Sequence, residues 1–442
     1  MPLSLRSPYD RDIARLAIPA VGALAAEPIY ILTDTAIVGR LGTPQLGGLA
    51  VAATLVLTLY SVFIFLAYGT TGTVARLLGA GQPERAAAQG LQALWLAAGI
   101  GMVLAALGLA FADPAVRLLG ADPEVLPFAL TYLRISMVGV PSLMLVLAGT
   151  GYLRGLQDTR TPLVVAVASA IVNLVLEVVL VFGLDTGIAG SAWSTVIAQT
   201  GAAAVYLTIV TRHVRSARVP MRPDRAALAA LATVSRDLFV RTATLRASLL
   251  VATAVAARTG VIDLGAHQIA FELWSFLALV LDAIAIAGQA IVGRLLGAGD
   301  GAGARAASRR MVEWGIAAGV LFGLVVAALS GVAPRLFTGD PEVARIASFL
   351  LLWVAALQVV NAVVFVLDGV LIGAGDLRYL AWSMTLAAAA FVPAAVAVRL
   401  LDLGIGWLWA ALALLMMIRL LALGTRWWGG AWAVEGAERA RR

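Results

Sequence analysis

Arg76-Leu77-Leu78-Gly79-Ala80-Gly81 returns, residue for residue, as Arg294-Leu295-Leu296-Gly297-Ala298-Gly299, 218 positions further on (76 to 294). Asp122-Pro123-Glu124-Val125 returns at the same offset as Asp340-Pro341-Glu342-Val343. Arg40 and Gly42 match Arg258 and Gly260, and Asp158 matches Asp376. One register therefore holds from position 40 to position 158. In so apolar a chain this is the pattern of a membrane protein built of two similar halves. Such an arrangement is common among secondary transporters, whose site lies between or within the halves.

Composition fixes the class. Of 442 residues, 61% are hydrophobic and 13% charged, with a mean hydropathy of +0.95. A soluble domain is about 45–50% apolar and about 25% charged. The excess is too large for a buried core and predicts an all-α integral membrane protein. There is no cysteine, which excludes disulfides and thiolate metal sites. Two histidines, His213 and His267, are too few for a histidine metal site. The net charge of +7 raises nucleic acid as a partner. The Arg residues, however, sit in loops between apolar runs, so no nucleic acid is expected. No P-loop, zinc motif or dinucleotide fingerprint is present, so no enzyme is expected either.

A membrane-spanning helix needs about 20 mostly apolar residues. Twelve such spans read at 16–38, 47–72, 89–112, 125–149, 161–183, 187–211, 237–257, 265–290, 311–333, 344–372, 379–398 and 403–425. Residues 1–211 hold six and form an N-lobe; 236–442 hold six and form a C-lobe. Between them, 212–235 is a cytoplasmic linker rich in Arg, with Pro220 and Pro223. Arg is abundant in alternate loops and sparse in the others, which predicts cytoplasmic N- and C-termini. Six spans per repeat give both lobes the same orientation, hence two six-helix bundles about a pseudo-twofold axis along the membrane normal. Arg6 to Arg15, followed by Ala23-Leu24-Ala25, has features of a signal peptide. Pro19 interrupts the apolar run, though, and apolar sequence continues to Val38, so the segment reads as span one.

An ionisable residue at the centre of a membrane helix costs at least ~2.5–3.5 kcal/mol and usually marks a pathway. Span one carries Glu27, Tyr30 and Asp34 on one helix face, in a helix containing Pro19 and Pro28. The plainer reading of Asp34 is a surface pair with Arg40. Span five carries Asn173 and Glu177 on one face, and the small residues opening span six would bring Thr195 against them. In the C-lobe, Arg246 is expected to pair with Glu272, Asp282 or Asp368 as a charge network. Substrate-cavity candidates are Glu27, Tyr30, Trp193, Phe271, Trp274 and Asn361, although membrane aromatics more often pack or anchor.

Asp34-Thr35-Ala36-Ile37-Val38-Gly39-Arg40-Leu41-Gly42, followed by Leu46-Gly47-Gly48-Leu49-Ala50, resembles the first-helix signature of the multidrug and toxic compound extrusion (MATE) family. Asn173-x-x-x-Glu177 and Gly190-x-x-x-x-Thr195 resemble its span-five and span-six signature. Leu281-Asp282-Ala283, Leu367-Asp368-Gly369 and the stretch from Arg236 to Gly260 are similar to the DinF branch. The resemblance covers essentially the whole chain. It implies an antiporter that expels organic, cationic or amphiphilic compounds against a cation by alternating access of two lobes. By motif position Asp34, Asn173, Glu177 and Thr195 take the coupling role, for a proton or for sodium, and no cofactor is implied. The expected partners are a small organic substrate and the bilayer. The expected setting is a monomer in a bacterial or archaeal cytoplasmic membrane. Glu177 stands where relatives often have Asp, and Glu27 is an additional acid, so the coupling ion stays open between the two. Two other readings are a lipid-linked oligosaccharide flippase of the same superfamily and a non-transporting membrane scaffold or receptor. The first would want a basic cavity; the second would leave the intramembrane acids without a purpose. At the offset of the repeat, Asp34 falls on Ala252 and Glu177 on Ala395. The halves share a frame but not their charges.

Overall fold

A computed structural model describes residues 7–437. Residues 1–6 and 438–442, and with them the two termini whose cytoplasmic placement the Arg bias predicts, lie outside the described residues. The chain forms helices α1 (Asp10–Val38), α2 (Thr43–Phe63), α3 (Phe65–Gly79), α4 (Pro83–Ala110), α5 (Ala112–Leu118), α6 (Leu126–Gly155), α7 (Arg160–Val178), α8 (Gly187–Ser216), α9 (Arg225–Thr259), α10 (Val261–Gly297), α11 (Gly301–Leu329), α12 (Pro341–Gly373), α13 (Leu377–Leu400) and α14 (Ile405–Trp428). No strand occurs among the described residues. Among the described residues, twelve helical segments are long and apolar enough to cross a bilayer, α2 and α3 together making one of them. Every span read from the sequence corresponds to one.

The repeated hexapeptide is a helix exit in both places. Gly81 and Gly299 take left-handed backbone angles, φ 69° and 77°. That turns the chain so that Gln82 N donates to Leu77 O at 3.0 Å and Asp300 N donates to Leu295 O at 2.9 Å. Close helix approach repeats as well. A Cβ on Gly151 would lie 2.4 Å from the Ala67 carbonyl oxygen, and one on Gly369 would lie 2.3 Å from that of Ala285. Both pairs are related by the offset of the sequence repeat. Only glycine lets α6 reach α3, or α12 reach α10, this closely. The second repeated motif diverges in use. Asp340 caps α12, its Oδ1 accepting from Glu342 N at 2.8 Å and Val343 N at 3.2 Å. Asp122 instead precedes a turn, and α6 begins only at Leu126.

The chain divides into two compact units. The N-terminal unit is Ile18–Ser235; the C-terminal unit takes Arg236 onward together with the chain up to Ala17. This differs from the lobe boundaries read from the sequence in two respects. The first turns of α1 belong with the C-terminal unit because acids fix them there. Asp10 accepts from Arg310 Nε at 2.6 Å and Trp314 Nε1 at 2.9 Å, and Asp12 accepts from Arg294 at 3.2 Å. The linker is mostly helical: α8 runs to Ser216 and α9 starts at Arg225. What lies between is docked on α4, where Gln92 donates to Arg222 O at 3.1 Å and accepts from Asp224 N at 2.9 Å.

The C-terminal unit encloses an ion triad that the sequence reading did not anticipate. Arg241 of α9 donates to Asp368 Oδ2 of α12 at 2.5 Å, and Arg419 of α14 donates to the same oxygen. All three side chains are buried. The expected partner, Arg246, is exposed. Five residues along a helix turn a side chain about 140° away, so Arg241 and Arg246 cannot share a face. Glu272 is also exposed and accepts from Gln268 at 2.9 Å. Asp282 is half-buried.

Two outcomes are expected of the purified protein in thermal unfolding. Gly151→Ala and Gly369→Ala each destabilise by about 1–3 kcal/mol, whereas Gly201→Ala, with open space around it, does not. Asp368→Ala leaves two buried guanidinium groups without their carboxylate and costs about 3–5 kcal/mol.

Candidate functional site

Within the N-terminal unit lies a cavity of about 280 Å³. Its walls are helix stripes with the three- and four-residue spacing of a single face. On α1 the stripe is Glu27, Tyr30, Ile31 and Asp34; on α6 it is Tyr132, Ser136, Val140, Leu143, Leu147, Thr150 and Arg154. Ser169 and Asn173 on α7, with Thr195, Gln199 and Tyr206 on α8, add further polar lining. Most of the remaining wall is apolar, as a pocket for an organic molecule would be.

One end is a directed hydrogen-bond network that converges on Asp34. Tyr132 OH donates to Asp34 Oδ2 at 3.2 Å, and Ser191 Oγ donates to Oδ1. Asn173 Nδ2 donates to Ser194 Oγ at 3.1 Å and Thr195 Oγ1 at 3.3 Å. Ser194 and Thr195 donate in turn to the Ser191 carbonyl at 2.7 and 3.1 Å. With the Thr195 proton so engaged, Tyr30 OH donates to Thr195 Oγ1, at 2.5 Å. Glu177 lies behind this network, wholly buried, with Asp34 and Ser191 as its polar neighbours. Neither of its carboxyl oxygens accepts a well-formed hydrogen bond, although the Asp34 carboxyl and the Ser191 hydroxyl lie within reach. A carboxylate has no proton to donate, so Asp34 and Glu177 can bond each other only when one of them is protonated. The fold thus brings Asp34, Asn173, Glu177 and Thr195 together from α1, α7 and α8, with Tyr30 among them.

The other end is lined by Glu27, Tyr60, Thr150, Arg154 and Tyr206. Thr150 Oγ1 donates to Tyr206 OH at 3.0 Å, and Tyr60 is within hydrogen-bonding reach of Glu27. Along α6, Tyr132 and Arg154 are separated by ~30 Å of helix rise.

Several expected cavity residues are elsewhere. Trp193 is 44% exposed and does not line this space. It precedes Thr195 by two residues, about 200° of helix rotation, so it points outward when Thr195 points in. Phe271, Trp274 and Asn361 belong to the C-terminal unit. Phe271 is sandwiched between His267 and Trp274 at 5.8 and 5.6 Å between ring centroids. Trp274 packs on that unit's hydrophobic core. Asn361 is buried with neither amide atom hydrogen bonded. Tyr132 was missed, because an aromatic in an apolar span carries no sign of its own. Arg419 was legible: it stands isolated between Ile418 and Leu420, deep in span twelve.

The MatE family model matches residues 19–179 and again residues 238–397. The chain is 32% identical over 427 residues to DNA damage-inducible protein F of Escherichia coli (strain K12), covering 95% of this chain and 92% of that protein. It is 32% identical over 434 residues to Protein DETOXIFICATION 44, chloroplastic, of Arabidopsis thaliana, covering 94% and 82%. Its fold matches a crystal structure of MATE in the bent conformation with a TM-score of 0.86 at 18% identity, covering 97% and 96% of the two chains. The chain therefore belongs to the MATE family, and it is a multi-pass membrane transporter of the multidrug and toxin extrusion type rather than an enzyme.

Proposed function

We propose that the protein is a secondary antiporter that exports organic compounds in exchange for protons, with Asp34 and Glu177 as the coupling pair. The observation that carries the reading is the wholly buried Glu177, its oxygens without a well-formed hydrogen bond, beside an Asp34 already held by Tyr132 and Ser191. Two carboxylates side by side at low dielectric repel strongly. A single proton removes the repulsion and lets one carboxyl donate to the other, so the pair titrates as a unit. An organic cation entering the cavity stabilises the anionic pair, and proton uptake then disfavours the cation. The two ligands oppose each other through one site, which is the thermodynamic requirement of exchange.

Sodium is the weaker candidate because, Glu177 apart, the oxygens that would ligate it are already engaged. Asp34 accepts two hydroxyl donors, and Asn173 turns its amide nitrogen toward the hydroxyls. A cation ligated by oxygens would have to displace those donors, whereas a proton needs one carboxyl oxygen. Helix α1 is the moving part in this account. Pro28 cannot donate to the Leu24 carbonyl, nor Pro19 to that of Arg15, so the helix bends at modest cost around Glu27. Protonation of Asp34 weakens its bonds to α6 and α8 and frees the outer half of α1 to shift. With both termini cytoplasmic, as the Arg distribution predicts, export follows from inward proton flow.

The test is efflux of a fluorescent organic cation from proteoliposomes with proton and sodium gradients imposed separately. The proton gradient alone is expected to drive efflux. Asp34→Asn is expected to reduce it to background, and Tyr132→Phe to slow it about tenfold, through loss of a hydrogen bond to a charged group. Full gradient-driven efflux by Asp34→Asn, or drive by sodium alone, contradicts the reading.

A further inference from the structure

Arg154 is not used by the coupling account. It is only 6% exposed and lines the cavity. Among the described residues, no hydrogen bond or ion pair engages its guanidinium group. The acids near this end have other roles. Asp158 caps α7, its Oδ1 accepting from Arg160 N and Thr161 N at 3.0 Å and its Oδ2 from Thr161 Oγ1 at 2.5 Å. Glu27 faces Tyr60. A buried guanidinium group with five donors normally carries a partner, because desolvation without one is costly.

Two further observations point to a ligand. The Tyr60 and Tyr206 side chains line the same end of the cavity within electrostatic reach of Arg154, adding hydroxyl donors there beside the Glu27 carboxyl group. This end is also outside the repeated frame. At the repeat offset Arg154 falls on Ile372, Tyr60 on Ala278 and Glu27 on Leu245, whereas Arg40 and Arg76 recur as Arg258 and Arg294. The shared scaffold does not require a guanidinium group here. The remaining structural use is at the end of α6, where Arg154 lies in the last turn and the helix dipole favours a cation. That use does not require the side chain to face the cavity.

We infer that Arg154 is a specificity-determining residue that pairs with an oxyanion, a carboxylate or phosphate, carried by the transported solute. The cavity is then bipolar. Asp34 and its network receive a cationic group at one end, and Arg154 with the Tyr60 and Tyr206 hydroxyls receives an anionic group at the other. A planar guanidinium group suits such a group because it can donate two parallel hydrogen bonds. The preferred solutes are amphoteric or acidic organic molecules rather than simple cations. This assignment rests on the antiport reading for the direction of transport, but not for binding.

The experiment is equilibrium binding to the full-length protein in detergent, with no gradient present. The probes are a xanthylium dye bearing a free carboxylate and its methyl ester, which differ in that one charge. Wild type is expected to bind the acid more tightly than the ester. Arg154→Gln is expected to weaken the acid by about 10- to 100-fold, the range for a lost charge-assisted contact, and to leave the ester within about twofold. Arg154→Lys should restore part of the difference. Retained ester binding shows that the variant is folded. Equal loss of both dyes, equal binding of both by wild type, or no binding of the acid overturns the inference. So does displacement of the acid by a short-chain anionic lipid but not by a soluble aryl carboxylate, since the site would then hold a headgroup. If the acid is preferred but neither gradient drives its efflux, the antiport reading fails and this one stands.

Discussion

Asp34 is a carboxyl group buried in an apolar span, and the N-terminal unit surrounds it with hydrogen-bond donors. Three helices supply the means: Tyr132 from α6, Ser191 from α8, and the Asn173–Ser194–Thr195 relay that links α7 to α8. Each donor in the relay satisfies another polar atom that would otherwise be stranded in an apolar interior. Glu177 is the member the relay leaves out. In the proposed coupling, that exclusion is what would make the pair responsive to a single proton, since a fully satisfied network would be rigid.

The two halves use the same frame for different ends. Glycine contacts at Gly151 and Gly369, and the left-handed turns at Gly81 and Gly299, recur at one offset. They are backbone devices, which a duplicated sequence carries over intact. The charges do not recur. In the N-terminal unit, acid, hydroxyls and a guanidinium group surround a cavity. In the C-terminal unit, one acid and two guanidinium groups close on each other as a buried triad, Asp368 with Arg241 and Arg419. A satisfied triad holds helices together; a partly satisfied set facing a cavity is available to ligands.

How much of this was legible follows the same division. Span number and the inward stripe of α1 were readable because hydropathy and periodicity are local signals. The convergence of Asp34, Asn173, Glu177 and Thr195 was readable only through motif order, since no spacing rule brings three distant helices together. Partner choice was not readable. Arg241 and Arg246 differ by five positions and both suit Asp368 in composition, and only the helix phase separates them. Tyr132 and Trp193 show the same limit: an aromatic residue in a membrane helix carries no label for inward or outward. Arg154 read as a loop arginine because it closes α6, although its side chain turns into the cavity.

The most direct test of the central claim is a count of protons released when the purified protein binds an organic cation at equilibrium. Calorimetry in buffers of different ionisation enthalpy gives that count. If Asp34 and Glu177 share the exchanged proton, wild type releases about one proton per cation bound, and Asp34→Asn and Glu177→Gln each release none. Release that persists unchanged in both variants, or is absent from the wild type, would contradict the account.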